Sequence, residues 1–228
     1  GNIDFDGLVA QVEQLTQSWA ERPTTPPPAT DPSDLVPVGI SLETRIAIPD
    51  AQQAYFVGIT PGPSSTSTDR YAARVLGSIM GDEGGSRLFW ELIDSGRAEV
   101  ATLWPHEFID AGAWFTYMVC APEDANSNRR LMEEVIQRTV ASGIKPEELQ
   151  QTISKATAGS IMQSERPSNR LFGIGSRWLT CQEYLSTDQT LDCLRGITVE
   201  DVEQAAKKYL TTSGTDIIAA AETDSAVT

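Results

Sequence analysis

Between Gly81 and Leu92 the chain reads GDEGGSRLFWEL, a glycine-rich turn that leads into a helix. Ser86 follows the glycines and is suited to cap this helix, because its hydroxyl can accept a hydrogen bond from a free backbone N–H. The turn could instead hold an anion at the helix N-terminus. No lysine stands at the spacing of a phosphate-binding loop, however, and the carboxylates of Asp82 and Glu83 would repel a phosphate. The residues therefore favour a turn between two helices.

Outward from this turn, segments with helical spacing of apolar residues are interspersed with segments typical of strands. Helices are predicted over Asp69–Met80, Ser86–Ser95, Asn126–Ser142, Pro146–Gln163, Ser168–Glu183 and Thr198–Leu210. Strands are predicted over Glu43–Pro49, Gln53–Thr60, Glu99–Leu103, Ala113–Ala121 and Thr215–Ala221. Strands that precede helices, with a strand that returns at the end, indicate an α+β domain with helices packed on one face of an antiparallel sheet.

The first 37 residues follow a different pattern. Apolar residues recur at helical spacing over Phe5–Arg22, which predicts an amphipathic helix. Residues 23–37 are rich in proline, which favours extended polyproline II structure, so we interpret them as a semi-rigid linker. A single helix cannot bury its apolar face alone. We therefore expect four of its side chains to bury against the second domain: Leu8, Val12, Leu15 and Trp19.

The composition argues against two classes of partner. The 228 residues include 32 acidic and 17 basic side chains, a formal net charge of −15. Such a surface repels phosphate groups, so we predict neither nucleic acid nor a membrane surface as a partner. The three cysteines, Cys120, Cys181 and Cys193, lack the spacing of a zinc site or a disulfide framework. We expect a soluble protein, with a cytoplasmic and a periplasmic location both open.

Three motifs, in this order, resemble those of the insulinase/pitrilysin-type zinc metallopeptidases, which include the mitochondrial processing peptidases. Gly1–Asp6 resembles the segment that closes the family's N-terminal domain. Gly81–Leu92 resembles the Ser-Arg-Leu-Phe element of its C-terminal domain, and Ile197–Leu210 resembles the helix that ends each domain. The resemblance spans nearly the whole chain.

This resemblance implies a fold and a division of the chain. Residues 38–228 would form a C-terminal, ferredoxin-like α+β domain of the processing-peptidase type, a metallohydrolase fold. Residues 23–37 would be the linker, and residues 1–22 would be the last helix of a preceding N-terminal domain. We therefore expect the chain to be a segment of a longer protein.

The resemblance also implies where zinc would be. Active members of the family carry an H-x-x-E-H motif, in which two histidines and a distal carboxylate bind zinc and the glutamate activates water. His106 is the only histidine of this chain. The resemblance thus implies no metal, cofactor or catalytic residue in this segment, and zinc in the N-terminal domain. The implied partners are that zinc domain, in the same protein or in a paired subunit, and a peptide or protein substrate.

Many C-terminal domains of this family contribute two further residues to the substrate cleft. An arginine and, seven residues later, a tyrosine follow the Ser-Arg-Leu-Phe element and help to hold the substrate backbone and the tetrahedral intermediate. The matching positions here are Ile93 and Val100, whose side chains donate no hydrogen bond. Arg87 and Arg97 are the candidates to line a cleft instead, and Arg87 has the alternative of pairing with a carboxylate inside the domain.

Two hypotheses about function follow. The first is a non-catalytic C-terminal domain of a zinc metalloendopeptidase, inactive alone, which closes over the zinc domain and helps to enclose a peptide. The second is a catalytically inactive structural or assembly subunit of a processing-peptidase-like complex. An H-x-x-E-H motif upstream of Gly1 would favour the first hypothesis.

Overall fold

The computed structural model describes residues 3–19 and 42–221 of the chain. The chain divides into two compact units, Gly1–Pro37 and Val38–Thr228. The first unit contains helix α1 (Phe5–Thr16), which is capped by Asp4. The capping carboxylate accepts a hydrogen bond from a backbone N–H of the first turn at 3.3 Å. The linker predicted over residues 23–37 lies outside the described residues.

Helix α1 has an exposed apolar face. None of its residues is buried. Within this unit Leu8, Val12, Leu15 and Trp19 are 43%, 49%, 75% and 75% exposed, and their burial against the second domain stays a prediction. The assignment of residues 1–22 to a preceding domain stays a prediction.

The second unit is built on a sheet of five strands: β1 (Leu42–Ala47), β2 (Ala54–Pro61), β3 (Val100–Glu107), β4 (Gly112–Cys120) and β5 (Thr215–Ala220). The strands lie in the order β1–β5–β2–β4–β3. Strand β2 pairs antiparallel with β4 and β5, and β3 pairs antiparallel with β4. Strand β1 pairs parallel with β5, which departs from the predicted antiparallel sheet. The α+β class is confirmed.

Six helices belong to the second unit in its described part: α2 (Arg70–Gly81), α3 (Ala125–Ser142), α4 (Pro146–Ser164), α5 (Pro167–Cys181), α6 (Thr187–Arg195) and α7 (Val199–Tyr209). The helix predicted over Ser86–Ser95 is instead a short π-helical turn over Phe89–Ile93. Helix α6 is an addition to the prediction, although Ser186 and Gln189 form a capping box at its start. No described helix is both long enough and apolar enough to cross a membrane.

The core lies between the sheet and these helices. Its largest fully buried side chains include Trp114 and Met118 of β4 and Leu76 and Met80 of α2. Strand β4 therefore supplies bulky residues on the covered face of the sheet, and α2 packs over the neighbouring strand β3. Burial of large apolar side chains of this kind is the main favourable contribution to folding.

The turn GDEGGSRLFWEL anchors the helical layer to this core. Leu88 and Leu92 are both fully buried. The hydroxyl of Ser86 accepts a hydrogen bond from the N–H of Phe89 at 3.1 Å and donates one to the carbonyl of Asp82 at 2.7 Å. Ser86 thus caps the turn as the sequence predicts.

Candidate functional site

Arg87 forms contacts inside the second unit. Its guanidinium donates two hydrogen bonds to the carboxylate of Glu148, at 2.9 and 2.7 Å. It donates further hydrogen bonds to the hydroxyl of Thr139 at 2.8 Å and to the carbonyl of Gly143 at 2.9 Å. Burial raises the pKa of Glu148, but the hydrogen bonds from Arg87 and from the backbone N–H of Lys145 outweigh burial and lower it. Arg87 therefore joins the glycine-rich turn to the α3–α4 connection.

The other three predicted cleft positions lie near the start of β3. The side chain of Ile93 is half-buried and packs against the core. Val100 lies opposite Val119 in the β3–β4 pair. Arg97 is exposed, and its backbone carbonyl accepts a hydrogen bond from the side chain of Asn128 at 2.7 Å. None of these three positions lines the open groove described below.

The histidine of this chain lies among aromatic side chains rather than among metal ligands. The ring of His106 packs against the rings of Phe108 and Phe115, with centroids 4.7 and 6.2 Å away. Within residues 3–19 and 42–221, no three His, Cys, Asp or Glu side chains are grouped to hold a metal. A zinc site needs at least three protein ligands.

The structure shows a groove that the sequence did not suggest. It is open, has a volume of about 620 Å³, and lies between α2, the end of β3, α5 and the start of α6. Two arginines of α2 and two of α5 line it: Arg70, Arg74, Arg170 and Arg177. We call it the arginine groove. Its two carboxylates belong to Glu107 and Glu183.

The two arginines of α2 contact a carboxylate, a backbone carbonyl and an aromatic ring. Arg74 forms two hydrogen bonds with the nearly buried carboxylate of Glu107, at 2.6 and 2.7 Å. Arg70 donates to the carbonyl of Ser65 at 2.7 Å. The guanidinium carbons of Arg70 and Arg74 also lie 5.0 and 5.4 Å from the ring centroid of Tyr71, within the range of a cation–π contact.

Arg177 joins α5 to the same cluster. Its guanidinium donates to the hydroxyl of Tyr71 at 3.2 Å and to the carboxylate of Glu183 at 2.6 Å. Burial lowers the pKa of Arg177, but these two hydrogen bonds outweigh burial and raise it. The groove therefore presents permanent positive charge and N–H donors, which suit binding of an anion rather than acid–base chemistry.

Exposed apolar side chains lie beside the groove. Helix α5 has no buried residue. Its apolar residues and those at the end of α4 are 41–73% exposed: Ile161, Met162, Leu171, Phe172, Ile174, Trp178 and Leu179. We call these residues the α5 face. Exposed apolar clusters of this kind mark sites of interaction with another protein surface.

Comparison with known proteins identifies the family. The sequence profile of the peptidase M16 inactive domain matches residues 1–156. The chain belongs to the peptidase M16 family, as its inactive domain. A protein of Mycobacterium tuberculosis named an uncharacterized zinc protease is 30% identical over 216 residues. That match covers 92% of this chain and 48% of the relative, so this chain spans about half the length of that relative.

Two solved structures have folds similar to that of this chain. The peptidase M16 inactive domain from Pseudomonas fluorescens has a TM-score of 0.73 and 18% identity, covering 83% of this chain and 46% of that one. A protease from Helicobacter pylori has a TM-score of 0.84 and 15% identity, covering 96% and 53%. The family resemblance inferred from the three sequence motifs is confirmed by the match to the peptidase M16 inactive domain.

Proposed function

We propose that this M16 inactive domain is one half of a zinc metalloendopeptidase, in which it pairs with a zinc-bearing domain and helps to enclose a peptide. The observation that carries the proposal is the length of the match, which covers 48% of a relative named a zinc protease. The side chains described in residues 3–19 and 42–221 form no zinc site, and in this proposal the metal and the residues that activate water lie in the other half.

The α5 face supports the pairing. Leu171, Phe172 and Leu179 are 69%, 72% and 73% exposed. Burial of a large apolar side chain contributes about 1.5–3 kcal/mol, so a zinc-bearing domain that covered these residues would gain a substantial stabilisation. We assign the α5 face to this contact.

Reconstitution from two separate halves tests the proposal. The chain of 228 residues and the remainder of its full-length protein are expressed separately, and cleavage of a quenched fluorescent peptide is measured. We expect cleavage by the full-length protein and by the mixture, and none by either half alone. Cleavage by the 228-residue chain alone would overturn the proposal. Pairing without cleavage in the mixture and in the full-length protein would support an assembly subunit instead.

Substitution on the α5 face locates the contact. Leu179→Asp is expected to weaken pairing at least about tenfold, because it places a charge in an apolar contact. Gln151→Asp, on an exposed position of α4, introduces the same charge outside the α5 face and is expected to leave pairing unchanged. Equal affinities for the two variants would place the contact elsewhere on the domain.

A further inference from the structure

The arginine groove is positively charged on an acidic chain. Four arginines against two glutamates leave two positive charges in excess in the groove. The whole chain has a formal net charge of −15. The positive groove attracts an anion, and the acidic surface around it repels extended polyanions. The groove therefore suits a small anionic group.

Two of the arginines share one carboxylate of the chain. The carboxylate of Glu183 lies 2.6 Å from Arg177 and 3.7 Å from Arg70. The two arginine side chains are only 18% and 13% exposed, whereas that of the glutamate is 49% exposed. The Nε atoms of both arginines are buried and have no hydrogen-bond partner among the described residues. Glu183 thus shows that a carboxylate fits here, and it leaves the arginines incompletely satisfied.

The surroundings of Arg170 and Asp69 leave the excess positive charge of the groove available to a ligand. Arg170 precedes Arg177 by two helical turns, is exposed, and forms no ion pair with a described residue. Asp69, next to Arg70 in sequence, accepts hydrogen bonds from Lys208 and from the hydroxyl of Tyr209, both at 2.8 Å. The carboxylate of Asp69 is therefore paired with side chains of α7 and does not neutralise the positive charge of the groove.

We propose that the arginine groove binds a carboxylate of a peptide, either an acidic side chain or the chain terminus. The carboxylate would contact Arg170 and would take the place of Glu183 at the terminal guanidinium N–H groups of Arg70 and Arg177. A planar carboxylate matches the forked donors of a guanidinium better than other small groups on peptides do. The choice of a peptide as the ligand rests on the proposed function.

Binding of three labelled six-residue peptides to the full-length protein tests the proposal by fluorescence anisotropy. The first peptide contains two glutamates and has an amidated C-terminus. The second has glutamines in place of the glutamates and the same amidated C-terminus. The third is the glutamine peptide with a free C-terminal carboxylate. We expect the second peptide to bind at least about tenfold more weakly than the first, because it offers no charged acceptor. Binding of the third peptide identifies the terminus as the source of the carboxylate. Equal affinity for all three peptides overturns the proposal.

Substitutions in the groove test the assigned residues. Arg170→Gln is expected to lower affinity for the glutamate peptide about threefold to tenfold, whereas Arg130→Gln, an exposed change of equal charge on α3, leaves it unchanged. Glu183→Gln removes the competitor and is expected to raise affinity about threefold. Glu147→Gln, exposed at the start of α4, is its matched control.

The outcomes separate this proposal from the proposed function. Equal effects of Arg170→Gln and Arg130→Gln, or lower affinity in Glu183→Gln, would show that the groove is not the site. Tighter binding of inorganic phosphate than of the glutamate peptide would likewise overturn the assignment. Because binding is measured without cleavage, loss of cleavage with retained binding contradicts only the proposed function. Cleavage without carboxylate-dependent binding contradicts only the groove.

Discussion

Gly81→Ala is expected to lower the free energy of unfolding by about 3 kcal/mol or more. Gly81 ends helix α2 where that helix lies directly on strand β3. A methyl group at this position would overlap the backbone N–H and carbonyl of Leu103, and would lie 2.7 Å from its Cα. Backbone atoms of a paired strand cannot move aside cheaply, so the helix and the strand would separate. Urea unfolding followed by circular dichroism measures the effect.

Gly84 provides the matched control in the same turn. A methyl group there would have no atom within 4 Å. Its backbone conformation does not require a glycine, because its φ lies outside the left-handed range. We expect Gly84→Ala to change the free energy of unfolding by less than about 0.5 kcal/mol. Similar losses in both variants would show that the turn, rather than the contact of α2 with β3, is responsible.

Arg87→Met is expected to destabilise the domain by about 3 kcal/mol. The arginine and Glu148 are only 18% and 28% exposed, so removal of the cation leaves a largely desolvated carboxylate without its counter-charge. It also removes a donor to Thr139, whose side chain is fully buried, and one to the carbonyl of Gly143. The same urea titration measures the loss.

An exposed ion pair shows whether that loss arises from burial. Arg138 pairs with Glu91, and the two side chains are 57% and 41% exposed. We expect Arg138→Met to cost less than about 1 kcal/mol, because solvent screens the pair. If Arg87→Met were as mild as Arg138→Met, Arg87 would be free to serve as a cleft residue.

Much of the fold was predictable because it depends on local spacing. The sequence GDEGGSRLFWEL predicts a cap at Ser86, which the structure has. Leu88 and Leu92 follow at helical spacing, and both are buried as that spacing suggests. The direction of β1 was not predictable, since alternation of apolar residues is the same in parallel and antiparallel strands. Helix α6 spans only nine residues and buries only Leu191 and Leu194, and its capping box at Ser186 was the available signal.

The arginine groove could not be predicted, because it depends on tertiary packing. Arg70 and Arg177 are 107 positions apart in the sequence, and they meet only where α5 crosses near the start of α2. A weak signal was available in each helix. Arg70 and Arg74, four residues apart, place like charges on one helical face, which is unfavourable without anionic partners. Glu107 and Glu183 are those partners in the structure.

Metal analysis tests the central claim most directly. If this M16 domain is the non-catalytic half of a zinc peptidase, the full-length protein should retain about one zinc per molecule after dialysis, and the 228-residue chain should retain none. Measuring both by inductively coupled plasma mass spectrometry gives a direct comparison. One tightly bound zinc per 228-residue chain, or a full-length protein without zinc, would contradict the account.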